Sequence, residues 1–182
     1  MNEAQSTMRL WSFQAMDACE ILEKNSFLRT EWRFTPANWR AAYEWIAREM
    51  MANNIDLGGY APIWAWHSCD GILQAPPTMS TARNLLTDMQ ILDGVCVVEF
   101  DAPASLCLLS SYNRFNDLLD TFLHSEQLPL REAFLDMFEV FPIQEYDHIQ
   151  AVLPYLQMDW VHDIRHLDMK PDRWDYDWTK VV

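Results

Sequence analysis

Only four of the 182 residues are glycine, and no GxGxxG, GxxxxGKS/T or GxSxG stretch occurs. Phosphate-cradling loops use glycine so that backbone amides can close on the anion without a Cβ in the way. The scarcity argues against a Rossmann or P-loop enzyme. Positive charge is also short: thirteen Lys and Arg against 27 Asp and Glu leave a net charge of −14. A field of that sign repels nucleic acid and anionic membrane, so direct nucleic-acid binding is not expected. The four cysteines, Cys19, Cys69, Cys96 and Cys107, form no CxxC. Most lie in apolar segments, where a free thiol behaves as a small hydrophobe, and a reduced, cytoplasmic setting follows. No apolar run approaches the ~18 residues of a membrane span, and the N-terminus lacks a signal-peptide pattern.

What is present is core-building material. Half of the residues are hydrophobic, 13% are aromatic and nine are tryptophan. A chain of this size buries roughly 70% of its unfolded surface, so one domain over 1–182 needs no disulfide or metal staple. A polar leader (1–7) and an acidic, Trp-rich tail (168–182) bracket it.

Period-2 and period-3.6 patterns alternate along the chain. MRLWSF reads as a strand, running into a helix marked by Ala15, Ala18, Cys19 and Leu22. Thr35 with Pro36 predicts the start of a second helix, whose buried stripe is Trp39, Ala42, Tyr43, Ile46 and Met50. APIWAWHS is a strand and a short helix falls near 80–87. GVCVVEFDAP is the clearest strand, and SLCLLS follows closely enough to suggest a hairpin. Ser111 is placed to cap a helix carrying Phe115, Leu118, Leu119 and Phe122, and Leu130, Phe134, Met137 and Phe138 suggest another. IQAVLPYLQ is a late strand in which Pro154 argues for an edge or bulge, and MDWVHDIRHL a short helix or turn. Without a regular βαβ period the expected class is α+β: a single domain with a mixed, mostly antiparallel sheet flanked by helices.

Candidate chemistry is sparse. His162 and His166 stand i, i+4, a metal-binding spacing on a helix, but two ligands do not make a site and a solvated polar face is the commoner outcome. No metal is expected. His67 and Cys69 form a lone HxC. Glu99 interrupts an apolar strand, where a carboxylate is costly unless it is paired, catalytic or at the strand's exit. Trp64 and Trp66 share one face of their strand, either as a stacking platform or as core.

With RLWSFQ, NWRAAYEWIAREM, PIWAWH, VVEFDAP, LLSSYNRFNDLL and IQAVLPYLQMDWVHDIRHL, the chain resembles a bacterial and phage family known only as a domain of unknown function. The resemblance runs from about Met8 to His166, with LWSxQ and PIWAWH its most specific blocks. More remotely, the order of elements is similar to the ADP-ribosyltransferase-like fold. That resemblance implies NAD as cofactor, bound in a cleft between sheet halves. It implies Ser12 or Gln14 at the nicotinamide ribose, and Tyr43, Trp64 or Trp66, with His67 nearby, at the nicotinamide ring. Gln150 would stand at the late-strand catalytic position, where active transferases more often carry Glu, so activity would be reduced. A protein substrate would then be the partner.

The other reading is a non-enzymatic acidic protein that occupies a basic partner groove built for nucleic acid. It rests on the net charge and on Asp172, Asp175 and Asp177 interleaved with Trp174, Tyr176 and Trp178.

Overall fold

A computed structural model describes residues 6–124, 129–145 and 147–168. Eight strands and five α-helices are assigned among them. The first half holds β1 (Thr7–Ala15), α1 (Met16–Asn25), β2 (Phe27–Leu28), α2 (Arg40–Ala52), β3 (Ile63–Ser68), α3 (Met79–Leu85) and α4 (Asp88–Asp93). The second holds β4 (Val95–Pro103), β5 (Leu108–Ser111), α5 (Tyr112–His124), a 3-10 stretch (Arg131–Phe138), β6 (Ile149–Leu153), β7 (Leu156–Gln157) and β8 (Val161–His166). Six strands form one sheet in the order β5-β6-β3-β1-β4-β8, while β2 and β7 pair separately. Each of these pairings is antiparallel. The fold is α+β with a mostly antiparallel sheet, as expected, and no parallel pair occurs among the described strands.

The sheet cannot be flat. Pro103 ends β4 and Leu108 begins β5, yet β1, β3 and β6 lie between those strands in the sheet. Four lateral steps of ~4.8 Å would separate them by about 19 Å. The link between them contains a 3-10 turn at Ala104–Leu106, closed by the Cys107 amide on the Ala104 carbonyl at 3.2 Å. Its reach falls below the roughly 17 Å of five fully extended steps. The sheet therefore turns back on itself, and the turn falls between β1 and β3, which share one register pair, Trp11 with Trp66. Leu10, Val98, Phe100 and Ala102 of one half meet Ile63, Ala65, Ala151 and Leu153 of the other in a single core, closed by Cys19 and Leu22 of α1.

Alternation along the strands sends the next residues to the outer face. There Trp64, Leu108 and Val152 pack beneath Ala42, Ile46 and Met50 of α2, Phe115 and Leu118 of α5, and Phe134 and Met137 of the 3-10 stretch.

Several sequence expectations are corrected. SLCLLS makes no hairpin with β4; it pairs with β6 at the opposite edge. The second helix begins at Arg40, not after Thr35, with turns across Pro36–Trp39 and no side-chain cap. The segment 131–138 is 3-10. MDWVHDIRHL is a 3-10 turn followed by an edge strand, β8. Pro154 marks the end of β6, an interior strand. A short helix, α4, capped by Thr87 and Gln90, was not anticipated. Ser111 does accept the Arg114 amide, at 3.4 Å, as a cap of α5. The acidic tail residues Asp172, Asp175 and Asp177, with Trp174, Tyr176 and Trp178, lie outside the described residues.

Candidate functional site

Cross-strand registers draw one line across the whole sheet. Ser110 faces Gln150, Gln150 faces Trp66, Trp66 faces Trp11, Trp11 faces Glu99, and Glu99 faces Asp163. Direct partners in a pleated sheet project to the same side, so these six side chains share the outer face. The strands thus bring Trp66 and Gln150 together from distant parts of the sequence.

Neither is open. Gln150 is 3% exposed, and its Nε2 donates to the Oγ of the fully buried Ser110 at 3.2 Å. Trp66 meets the ring of Tyr112 edge-on at 5.1 Å and that of His148 at 6.3 Å. Trp64 lies between Tyr43 at 4.9 Å and Phe115 at 4.6 Å, so of the two indoles it is the one that packs into the helix-covered core. Tyr43 in turn stacks on Trp39, and burial pushes its phenol up to about 12.

Ser12 and Gln14 occupy the other face. Ser12 follows the parity of Leu10, a core residue, and is fully buried. Its Oγ donates to the Trp64 carbonyl at 2.6 Å and accepts from Gln14 Nε2 at 2.7 Å. The hydroxyl supplies a donor where the β1–β3 ladder stops, which is a backbone-satisfying role. Ser12 and Gln14 do not join Trp66 and Gln150 in one cleft.

His67 is 4% exposed. Its Nδ1 lies 2.8 Å from Ser68 Oγ, which already accepts the Gln74 amide at 3.0 Å. A hydroxyl oxygen can accept two hydrogen bonds and donate one, so either group can be the donor in this contact. Burial holds the His67 pKa below its ordinary value, so the ring is neutral. This Ser–His contact resembles a nucleophile and its base, but Ser68 is fully buried and out of reach of substrate. Burial also raises the Cys69 and Cys107 thiols to about 12, as it does Cys19 beside Cys96, so these thiols stay protonated at neutral pH.

Glu99 does not end its strand. It accepts from Arg9 Nη1 at 2.7 Å in a charged network that also holds Asp101, His162 and Arg165. The Arg9 and His162 contacts hold the Asp101 carboxyl below its usual range. Arg9 pairs with Asp101 across β1 and β4, and Glu99 lies two residues away on the same face, a period-2 pattern of opposite charge legible in the sequence. His162 and His166 lie on a strand, about 13 Å apart at ~3.3 Å per residue, and cannot share an ion. Among the described residues no group of three or more His, Cys, Asp or Glu is placed to hold a metal.

Two of the cavities among the described residues bear on the question of a ligand. One, of about 300 Å³, lies beside the start of β6 and is lined by Arg114, Asp136, Glu139, Phe141, Asp147 and His148, with others. Arg114 is already bound by Asp136 at 2.9 Å and Asp117 at 2.8 Å, so the lining is effectively anionic. It does not suit a pyrophosphate. The other, of about 310 Å³, has Trp45 and Phe122 on its walls and Arg48, Glu49 and Arg131 around it. None of Ser12, Gln14, Tyr43, Trp64, Trp66, His67 or Gln150 lines either cavity.

Comparison with known proteins returns no match to a family model, a curated protein or a solved structure. Among the described residues no helix is long and apolar enough to cross a membrane.

Proposed function

We propose that the chain acts by binding a protein partner with a basic surface, and that its ADP-ribosyltransferase-like order of elements serves as a scaffold rather than a catalyst. The observation that carries this reading is the loop after β3. Ile72 and Leu73 are each 61% exposed at its tip. Asp70, Gly71 and Gln74 hold left-handed backbone at φ of 57°, 72° and 50°. Such backbone costs about 1–3 kcal/mol at a non-glycine position, and persists where its surroundings over-determine it. Here the Gly71 amide donates to the Asp147 carbonyl at 2.9 Å, the Gln74 amide to Ser68 Oγ at 3.0 Å and the Asp70 amide to His148 Nδ1 at 3.2 Å. Thr81 Oγ1 donates to the Asp70 carboxylate at 2.8 Å.

The result is an apolar knuckle fixed in advance, which lowers the ordering cost of binding. It adjoins the anionic cavity through Asp147 and His148, and the 55%-exposed Phe141 lines that cavity. A complementary partner has an apolar pocket rimmed by Lys or Arg. A photoreactive side chain placed at position 73 of the full chain tests this. The expected crosslink falls on a basic segment, is lost in Ile72→Asp and weakens steeply with salt. Crosslinks to acidic segments, or indifference to salt, reject it.

One observation favours the NAD reading as a second: Trp66 and Gln150 are direct partners beside the point where the two sheet halves part. Nicotinamide would reach them only after Tyr112 and His148 swing away. Calorimetry with NAD decides it. Binding in the wild type that disappears in both Trp66→Ala and Gln150→Ala supports this reading, and absence of heat rejects it.

A further inference from the structure

Trp45, Arg48, Glu49 and Ala52 recur along α2 at the i, i+3, i+4, i+7 spacing that lines up one side of a helix. That side walls the cavity of about 310 Å³. Phe122 of α5 and Pro129 face it, with Arg131 at the start of the 3-10 stretch. The cavity shares no lining residue with the anionic one beside β6 or with the knuckle after β3. Its occupant is therefore separate from the partner proposed above.

The charges around it run against those of the chain as a whole. Glu49 is 4% exposed, and Arg131 holds both of its oxygens, through Nε at 2.6 Å and Nη2 at 2.7 Å. The carboxylate of the described lining is thus already neutralised. Arg48 is placed differently. Glu44 stands one turn before it, at the i, i+4 spacing that favours a Glu–Arg pair. Arg40 takes that carboxylate instead, at 2.8 Å. Arg48 is left exposed at the cavity, with no ion pair to a described residue, and a ligand can reach its guanidinium from solvent.

The apolar wall is fixed in advance. The Trp45 ring lies parallel to Phe138 at 6.1 Å and edge-on to Phe134 at 6.5 Å, so its plane is set. Ala52 projects only a methyl group and leaves its end of the cavity roomy. The volume stands at the low end of the roughly 300–1,000 Å³ of ligand pockets, enough for a body of one or two rings. We infer that this cavity binds a small monocarboxylate with an aromatic body, the carboxylate gripped by the Arg48 fork and the ring held against Trp45 and Phe122. A guanidinium fork matches a planar carboxylate in shape, and aromatic walls favour an aromatic body. A phosphate dianion suits the site less, because Glu132 adds negative charge near Arg131 and the chain carries a net −14.

The test titrates the full chain with para-fluorobenzoate. Fluorine NMR of the ligand reads affinity, and the indole N–H resonance of Trp45 reads location. Saturable binding that moves the Trp45 resonance is expected, at least about tenfold weaker for para-fluorobenzamide and in Arg48→Gln. Ala52→Leu, which narrows the cavity and leaves every charge in place, should also weaken it. Both positions are exposed, and a thermal melt of each variant confirms that it folds. No saturable binding, an equal response to para-fluorobenzamide, unchanged affinity in Arg48→Gln, or tighter binding of phenyl phosphate overturns the inference. A tripeptide ending in phenylalanine that binds tighter than para-fluorobenzoate supports the site and identifies its source as a protein C-terminus. A tripeptide that binds no tighter supports a free carboxylic acid.

Discussion

Replacing Ser12 with alanine separates a residue that serves chemistry from one that serves the sheet. Ser12 is fully buried, gives its proton to the Trp64 carbonyl at 2.6 Å and accepts the Gln14 amide at 2.7 Å. Ser12→Ala deprives that carbonyl of its hydroxyl donor in a place water does not reach. A buried polar group left unpaired costs about 1–3 kcal/mol. The Gln14 amide is partly buried and can turn toward water, so it adds little, and the expected loss is about 2 kcal/mol. For a chain of this size each kcal/mol moves the melting temperature by about 2–4 °C, so the expected fall is about 4–8 °C. Urea unfolding should show a lower midpoint at an unchanged m value, the sign of lost native stability without a change in the unfolded state. Ser12→Thr, which keeps the hydroxyl, should recover part of the loss. Stability of Ser12→Ala within about 0.5 kcal/mol of wild type would refute the structural role.

Alkaline pH should unfold the protein in a defined window. Thiols 19, 69 and 107 ionise only near about 12 when folded but near 9.0 when unfolded. The native state therefore holds more protons between those values, and stability falls as pH rises through the window, by about 1.4 kcal/mol per pH unit for each thiol. Urea midpoints against pH would show it, and a flat profile would contradict it. His67 acts at the acid end: the buried ring refuses a proton that the unfolded chain accepts below 6.5, so stability falls as pH drops and His67→Gln flattens that slope. Gly94→Ala should cost about 1–3 kcal/mol, because Gly94 holds φ at +88° and a Cβ would stand 3.1 Å from Met16 Cγ. A thermal melt of that variant checks it, and an unchanged melting temperature would show that the backbone there is free to relax.

The strands were the most legible part of the sequence. IWAWHS and VCVVEFDAP alternate or run apolar because each is packed on both faces, and β3 and β4 lie where they were read. Strand neighbours were less legible, since β5 joins β6 and not β4 through a fold of the sheet that no local pattern records. Helix and strand were confused at 161–166, where Val161 and Ile164 recur three apart and imitate a helical stripe on an edge strand. The candidate site was less legible. Trp66 and Gln150 face each other across β3 and β6, a pairing between distant segments that no local pattern in the sequence records. Ser12 fails by one position, because alternation puts its neighbour Trp11 on the face of Trp66 while Ser12 turns to the core. Which face a polar residue takes depended on the Trp64 carbonyl, a partner distant in sequence.

Release of nicotinamide from NAD is the most direct measurement of the central claim, that this chain binds and does not turn over. With Gln150 3% exposed and bound to Ser110, and Ser12 on the opposite face, no release above the rate in buffer alone is expected. Release by the wild type that vanishes in a folded Gln150→Ala variant would contradict it.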